Sequence, residues 1–367
     1  MKLVKPNYKK SILNVSATLA DFLGKENDKT KLKVLQKELR KGYKNVIYMC
    51  LDGFGIYPIE CNLKKDDFLR KNVKIKITST CLATTTVATT TLQTPQYPME
   101  HGYFGWSMYF EELDKNVDIY LGKDSLKHEP VDMNKISDYL KFTPYFAEVN
   151  NGYKTNTVTS YQPTQGINFH YNTFDEFFNV LNKICKRKTK QFVYAYNEYP
   201  DHTMHDYGVN SKEAYDVIND LNARIEKFIK ANPDTLLIIT PDHGHLDVKG
   251  YIEMYKDEKL YSTLETRPYL EPRITAYKVK PDREQEFLKE MKKYKKDLKL
   301  YKTEDFVKKG YLWARTDKIK RLGDYISVMK NDYKILLIND DSPLFKGHHA
   351  GLSKKEMILP LIIVGNK

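Results

Sequence analysis

Cysteine is scarce in this chain. Four residues (Cys50, Cys61, Cys81, Cys185) are scattered over 367 positions with no C-x-x-C spacing, which excludes a cysteine-built metal or disulfide framework. Cys50 lies inside an apolar run, where a buried thiol is the ordinary outcome. Long hydrophobic runs are missing as well. No segment approaches the ~18–20 apolar residues of a membrane span, and the lysine-rich start, Met1 to Leu13, has no apolar stretch of signal-peptide length. The expectation is a reduced, cytoplasmic setting without a membrane partner. Internal repeats and low-complexity linkers are absent too.

The composition that remains is that of a folded domain, 41% hydrophobic and 29% charged, within the usual range. Basic residues outnumber acidic ones, 60 to 48, for a formal charge of +12. That balance favours anionic ligands. The lysines are spread along the chain, however, and dense stretches such as Lys292, Lys293, Lys295 and Lys296 read as a solvated helix face. No zinc-finger spacing or basic reading helix marks a nucleic-acid module, so no specific nucleic-acid partner is expected.

Short β-rich runs alternate with helical periods. The expected strands are Asn45–Leu51, Val73–Thr78, Gln191–Tyr196, Leu236–Thr240, Lys334–Ile338 and Leu359–Val364. Most are continuously apolar, as in strands buried on both faces of a largely parallel sheet. The expected helices are Ser11–Leu23, Lys31–Gly42, Phe174–Lys186, Ser211–Lys230 and Arg283–Tyr294. The fourth has a cap at Asn210 or Ser211, and Val217, Leu221, Ile225, Phe228 and Ile229 form its apolar face. This alternation predicts one α/β sandwich over residues 1–367, with helices on both faces of the sheet. The polar, lysine-rich stretch at about 251–330 is expected to be a small inserted cap.

Carboxylates and histidines gather at the ends of these strands, where open α/β sheets place their sites. Asp52 ends the first strand and is followed by Gly53-Phe54-Gly55; alone it reads first as an ordinary turn Asp. Asp201 and His205 are four apart, on one side of a helical turn, so both can reach one ion. Asp242-His243-Gly244-His245 follows a buried strand directly, placing a carboxylate and an imidazole together. Gly347-His348-His349-Ala350-Gly351 follows another, and spacing alone does not choose between its histidines. The run Thr84 to Thr91 reads as a strand by propensity, or as a helix N-terminus with Thr as cap. A threonine hydroxyl becomes a useful nucleophile when a metal ion lowers its pKa.

In this order the motifs resemble the alkaline phosphatase superfamily, and within it the type I phosphodiesterase/nucleotide pyrophosphatase family, from about Asn45 to Val364. Thr94-Pro95-Gln96-Tyr97-Pro98-Met99-Glu100-His101-Gly102 is similar to the family segment T-G-x-x-P-x-x-H-G that follows its nucleophile by nine residues, and Pro95 departs from it. The resemblance implies an alkaline-phosphatase-like sandwich, with Thr85 as the catalytic nucleophile. It further implies two divalent ions, one held by Asp201, His205 and His349, the other by Asp52, Asp242, His243 and Thr85. His349 fits over His348 because His349-Ala350-Gly351-Leu352-Ser353 opens a stretch similar to the family's H-x-G-L-[ST]-x-x-E-M ending. Mixed His/Asp ligation suits zinc, and manganese or iron would fit as well.

The implied activity is cleavage of phosphodiester or pyrophosphate bonds in small, nucleotide-like substrates through a covalent phospho-threonine. Trp106 is a candidate to wall the substrate pocket. A sulfatase would need an Arg four residues after a modifiable Cys, where Cys81 is followed by Thr85. A phosphomonoesterase of the same superfamily is the nearest alternative, disfavoured by the lack of an Arg beside Thr85. A non-catalytic, basic metal- or nucleic-acid-binding protein is the reading from a different class.

Overall fold

The computed structural model describes residues 2–149, 151–160, 169–313, 315–339 and 343–367. Its main sheet has seven strands, in the order Val73–Thr78, Ile358–Gly365, Thr235–Ile239, Asn45–Leu51, Gln191–Asn197, Lys154–Thr159 and Phe169–His170. Ile358–Gly365 runs antiparallel to both of its neighbours, while the pairings from Thr235–Ile239 to Phe169–His170 are parallel. The sheet is therefore mixed, with one reversed strand.

The central strand Asn45–Leu51 shows why its run is apolar throughout. Side chains alternate between faces: Val46, Tyr48 and Cys50 join one core with Ile12, Val15 and Leu19. Ile47, Met49 and Leu51 join another with Phe177, Leu181, Ile218 and Ile225. Helices Ile12–Phe22 and Lys33–Leu39 thus cover one face, and Phe174–Cys185 and Lys212–Ala231 the other. Ser211 caps the last of these by accepting from the Ala214 N–H. Its apolar stripe uses Ala214 and Ile218 beside Leu221, Ile225, Phe228 and Ile229, and Val217 is only half-buried.

A second, antiparallel sheet has the order Leu298–Lys302, Tyr325–Met329, Ile274–Tyr277, Tyr269–Leu270, Ser107–Phe110, Lys115–Asp118 and Lys123–Asp124. The segment expected as a cap, 251–330, carries four of these strands, and residues 107–124 supply the other three. This sheet packs Met108, Phe110, Ile274, Ile326 and Val328 against Cys81, Leu82 and Val87, so it braces the threonine-rich segment from behind.

Lys334–Ile338 departs from expectation. The strand there is Tyr333–Ile335, paired in parallel with Gly250–Ile252 outside both large sheets. Only Ile335 of the run is buried, packing beside Met254. A continuous apolar run suits a doubly covered strand, but here it lies half-covered at the periphery. No helix among the described residues is long and apolar enough to cross a membrane.

Candidate metal centre and active site

Strand direction gathers the site. The parallel strands Asn45–Leu51, Gln191–Asn197 and Thr235–Ile239 end on one edge of the sheet, so Asp52, Asp201 and Asp242 emerge together. The reversed strand Ile358–Gly365 begins on that edge and brings the preceding His349 to it. Backbone hydrogen bonds tie the loops together: Asp201 N–H to Asp52 O at 3.2 Å, Gly244 N–H to Glu356 O at 2.7 Å, and Ala350 N–H to Ala83 O at 2.9 Å. Two loops meet at glycine: a Cβ on Gly55 would stand 2.5 Å from the Gly244 Cα.

Thr85 opens the helix Thr85–Gln93, with Thr84 as its extended N-cap. The helical reading wins over strand propensity because the buried threonines turn their hydroxyls inward. Thr89, Thr90 and Thr94 donate to the carbonyls of Thr85, Thr86 and Thr90 at 2.6, 2.7 and 2.8 Å, so no hydroxyl of these three is left to compete with the helix. Thr85 Oγ1 lies 3.3 Å from His243 Nε2 and 3.5 Å from Asp52 Oδ2.

Around it, His243 Nε2 is 3.1 Å from Asp52 Oδ1 and 3.4 Å from Asp242 Oδ2. On the other side, Asp201 Oδ2 is 3.2 Å from His205 Nε2, and Asp201 Oδ1 is 4.0 Å from His349 Nε2. The His243 and His349 rings stack with centroids 3.7 Å apart, joining the two halves. All six expected ligands and Thr85 are thus brought to one place. His348 does not join them: its Nδ1 accepts the His349 N–H at 2.9 Å. His202 is exposed on the helix Asp201–Tyr207.

The donor set fits cations. Asp52 Oδ1, Asp201 Oδ1, Asp242 Oδ2 and His349 Nδ1 are buried without a hydrogen-bond partner, an expensive arrangement unless something positive binds there. The groups fall into mutually close sets, Asp52/Asp242/His243 and Asp201/His243/His349. Ring tautomers agree: Nδ1 of His243 faces Gly244 O and Nδ1 of His205 faces Gly347 O, both at 3.0 Å. A hydrogen donated there leaves each Nε2 lone pair for a metal.

Electrostatics make the same demand. Burial and the neighbouring Asp52 charge push the Asp242 carboxyl well above the usual range. Burial alone would lower His243, but the Asp242 and Asp52 carboxylates outweigh it and raise it to about 10. Burial holds His349 well below the usual histidine value, a neutral imidazole ready to ligate.

Three more residues stand around this centre. Tyr196, on the strand beside Asp52, donates a short hydrogen bond to Asp52 Oδ2. Glu271, from the second sheet's edge, accepts from Thr84 Oγ1 at 2.6 Å and from the Trp106 N–H at 2.9 Å. His245, two residues beyond His243, is buried with its Nε2 3.3 Å from Asp201 Oδ1. Trp106 itself is half-buried, its ring 6.2 Å from that of the more exposed Tyr120, whose hydroxyl meets Thr89 Oγ1 at 2.8 Å.

A mixed α/β sheet that presents hydroxyl, carboxylates and imidazoles at one edge defines a metal-dependent hydrolase of the alkaline phosphatase superfamily. Residues 46–351 match the type I phosphodiesterase / nucleotide pyrophosphatase family, and the chain belongs to it. The fold is similar to murine ectonucleotide pyrophosphatase / phosphodiesterase 5, an inactive threonine-to-alanine variant in complex with AMP (19% identity, 87% of each chain, TM-score 0.65). It is also similar to the human protein of that name (20% identity, 87% of each chain, TM-score 0.63). A third similar structure is phosphonoacetate hydrolase from Sinorhizobium meliloti 1021 in complex with phosphonoformate (14% identity, 86% of this chain and 89% of that one, TM-score 0.60). No curated protein sequence matches the chain.

Proposed function

We propose that the protein cleaves a phosphodiester or pyrophosphate bond of a nucleotide-like substrate, with Thr85 as nucleophile between two divalent ions. The observation that carries this reading is the position of Thr85 Oγ1, at a helix N-terminus and 3.3 Å from His243 Nε2. Asp201, His205 and His349 would hold one ion, and Asp52, Asp242, His243 and Thr85 the other. Zinc suits these nitrogen and oxygen donors. The ions, when bound, neutralise phosphate charge and make the hydroxyl acidic enough to attack.

Thr85 Oγ1 then attacks phosphorus in line. Its proton has Asp52 Oδ2, at 3.5 Å, as the nearest carboxylate acceptor. The first-turn N–H groups of the helix Thr85–Gln93 lack intrahelical partners and face the phosphoryl oxygens. The alcohol or phosphate leaves, and water attacks the phospho-threonine from the vacated side. The similar murine structure, described as an inactive threonine-to-alanine variant with AMP bound, supports both the threonine and a nucleotide-like ligand. The reducing, cytoplasmic setting expected from the sequence belongs to the same proposal.

The test is hydrolysis of bis(p-nitrophenyl) phosphate and p-nitrophenyl phosphate, with and without chelator. The diester is expected to be the better substrate, and chelation to stop both reactions. Thr85→Ala should lower kcat by on the order of 10³-fold or more while the far-UV spectrum is kept. An unchanged rate in that variant rules out Thr85 as nucleophile, and a faster monoester reaction makes the protein a phosphomonoesterase.

A further inference from the structure

His245 stands outside the ligand set described above, yet its surroundings are those of a ligand. The ring is fully buried, and neither Nδ1 nor Nε2 has a hydrogen-bond partner. A buried imidazole with both nitrogens unmatched is costly, and native chains rarely keep one without a reason. Its Nε2 lies 3.3 Å from Asp201 Oδ1, an oxygen that is itself unpartnered. The ring centroids of His205 and His349 are 4.7 and 5.6 Å away. Ligand atoms of Asp201, His205 and His245 fall close enough together to share one ion.

The local fold explains how the ring arrives there. The short strands Leu246–Asp247 and Gly347–His348 pair antiparallel, Leu246 opposite His348. Extending that register by one residue sets His245 opposite His349, so the ladder presents both imidazoles at the same end. Gly347 leaves the space: a Cβ there would stand 2.7 Å from His245 Cε1. The same Gly347 offers its carbonyl to His205 Nδ1. One glycine therefore orients the first histidine and makes room for the third.

We propose that His245 is a fourth protein ligand of the ion held by Asp201, His205 and His349. This rests on the two-ion reading given above. One carboxylate and three imidazoles complete a tetrahedral shell for zinc, whereas three protein ligands would leave a position open. The ion at Asp201 is then a closed, tightly retained centre with a preference for zinc over magnesium or calcium, which favour all-oxygen shells. The ion at Asp52, Asp242 and His243 has the nucleophile Thr85 in its own shell. The two sites divide the work: one anchors charge, the other carries the nucleophile.

The test is zinc binding by the full chain, measured by competition with a chromophoric chelator, and the visible spectrum of the cobalt-loaded protein. In the wild type, two ions are expected, the tighter giving an intense four-coordinate cobalt spectrum. His245→Leu should weaken that ion by tenfold or more, reduce its cobalt absorption and leave the second ion's affinity unchanged. His202→Ala, at the exposed histidine on the adjoining helix, should alter neither. A structural role is separated by thermal unfolding of the metal-free proteins. His245→Leu should unfold no earlier than the wild type without metal, and should gain less on adding zinc. Wild-type zinc affinity and cobalt spectrum in His245→Leu overturn the proposal, and so does a metal-free melting temperature that falls while the gain on adding zinc stays the same. If the wild type binds no zinc, the two-ion reading itself fails, a result distinct from either.

Discussion

The Arg273 guanidinium grips the Glu356 carboxylate through two buried hydrogen bonds, 2.6 Å from Nε and 3.1 Å from Nη2. Both residues are fully enclosed. The same carboxylate accepts the N–H groups of Gly351 and Ser353 at 2.7 and 3.0 Å. Arg273 precedes a strand of the second sheet, and Glu356 closes the loop that carries His349, so this pair fastens one to the other.

Breaking the pair should therefore do more than lower stability. Arg273→Met leaves an unpaired buried carboxylate and should cost about 3–5 kcal/mol, read from urea unfolding of the metal-free protein. Zinc affinity at His349 should fall with it, because the loop loses its clamp. A loss of stability under 1 kcal/mol would show that the pair is dispensable.

Metal binding should release protons. At pH 7 the metal-free site keeps one on His243, which the Asp242 and Asp52 carboxylates raise to about 10. Ligation through Nε2 displaces it, so about one proton should leave as the ion at Asp52 binds. Calorimetric titration with zinc in buffers of different ionisation heat counts them. Asp242→Asn removes one of the carboxylates that hold this proton and should reduce the number, and a heat independent of buffer would contradict the electrostatics.

Glu271 should make stability depend on pH. Burial raises its carboxyl from an ordinary 4.5 to about 7, against the pull of the Thr84 and Trp106 hydrogen bonds. A carboxyl raised on folding prefers its proton in the folded state. Its contribution is fully present below pH 4.5 and is lost as pH climbs toward 7. Unfolding of the wild type and Glu271→Gln should diverge over that window by roughly 1.4 kcal/mol per pH unit at most, then run parallel. A constant difference from pH 4.5 to 8 would place the titration elsewhere.

How much of this was legible in the residues depended on the physics behind each signal. Strands Asn45–Leu51 and Val73–Thr78 fall where the sequence put them: the first is a continuous apolar run buried on both faces, the second alternates lysine with β-branched residues at the sheet's edge. Thr84 to Thr91 fits strand and helix alike on sequence alone, since β-branching argues for one and hydroxyl back-bonding permits the other. The strands Ser107–Phe110 and Lys115–Asp118 were not foreseen: each has four residues and mixes polar with apolar positions. The expected ligands could be named because they sit in short ordered motifs at strand ends. Tyr196 and Glu271 could not, for a tyrosine in a strand and a glutamate before a proline look the same whether or not they serve a site. His245 stood in plain view within Thr240-Pro241-Asp242-His243-Gly244-His245. Only its unmatched nitrogens and the register against His349 distinguish it from an incidental histidine.

The meeting of Gly55 with Gly244 has a further consequence. The turns that deliver Asp52 and Asp242 touch main chain to main chain, with no side chain between them. Their separation is thereby gauged by peptide units, whose dimensions do not vary, and not by rotamers, which do. Repacking elsewhere in the core can shift a side chain without widening that gap, while a single methyl group at Gly55 would act as a wedge and open it.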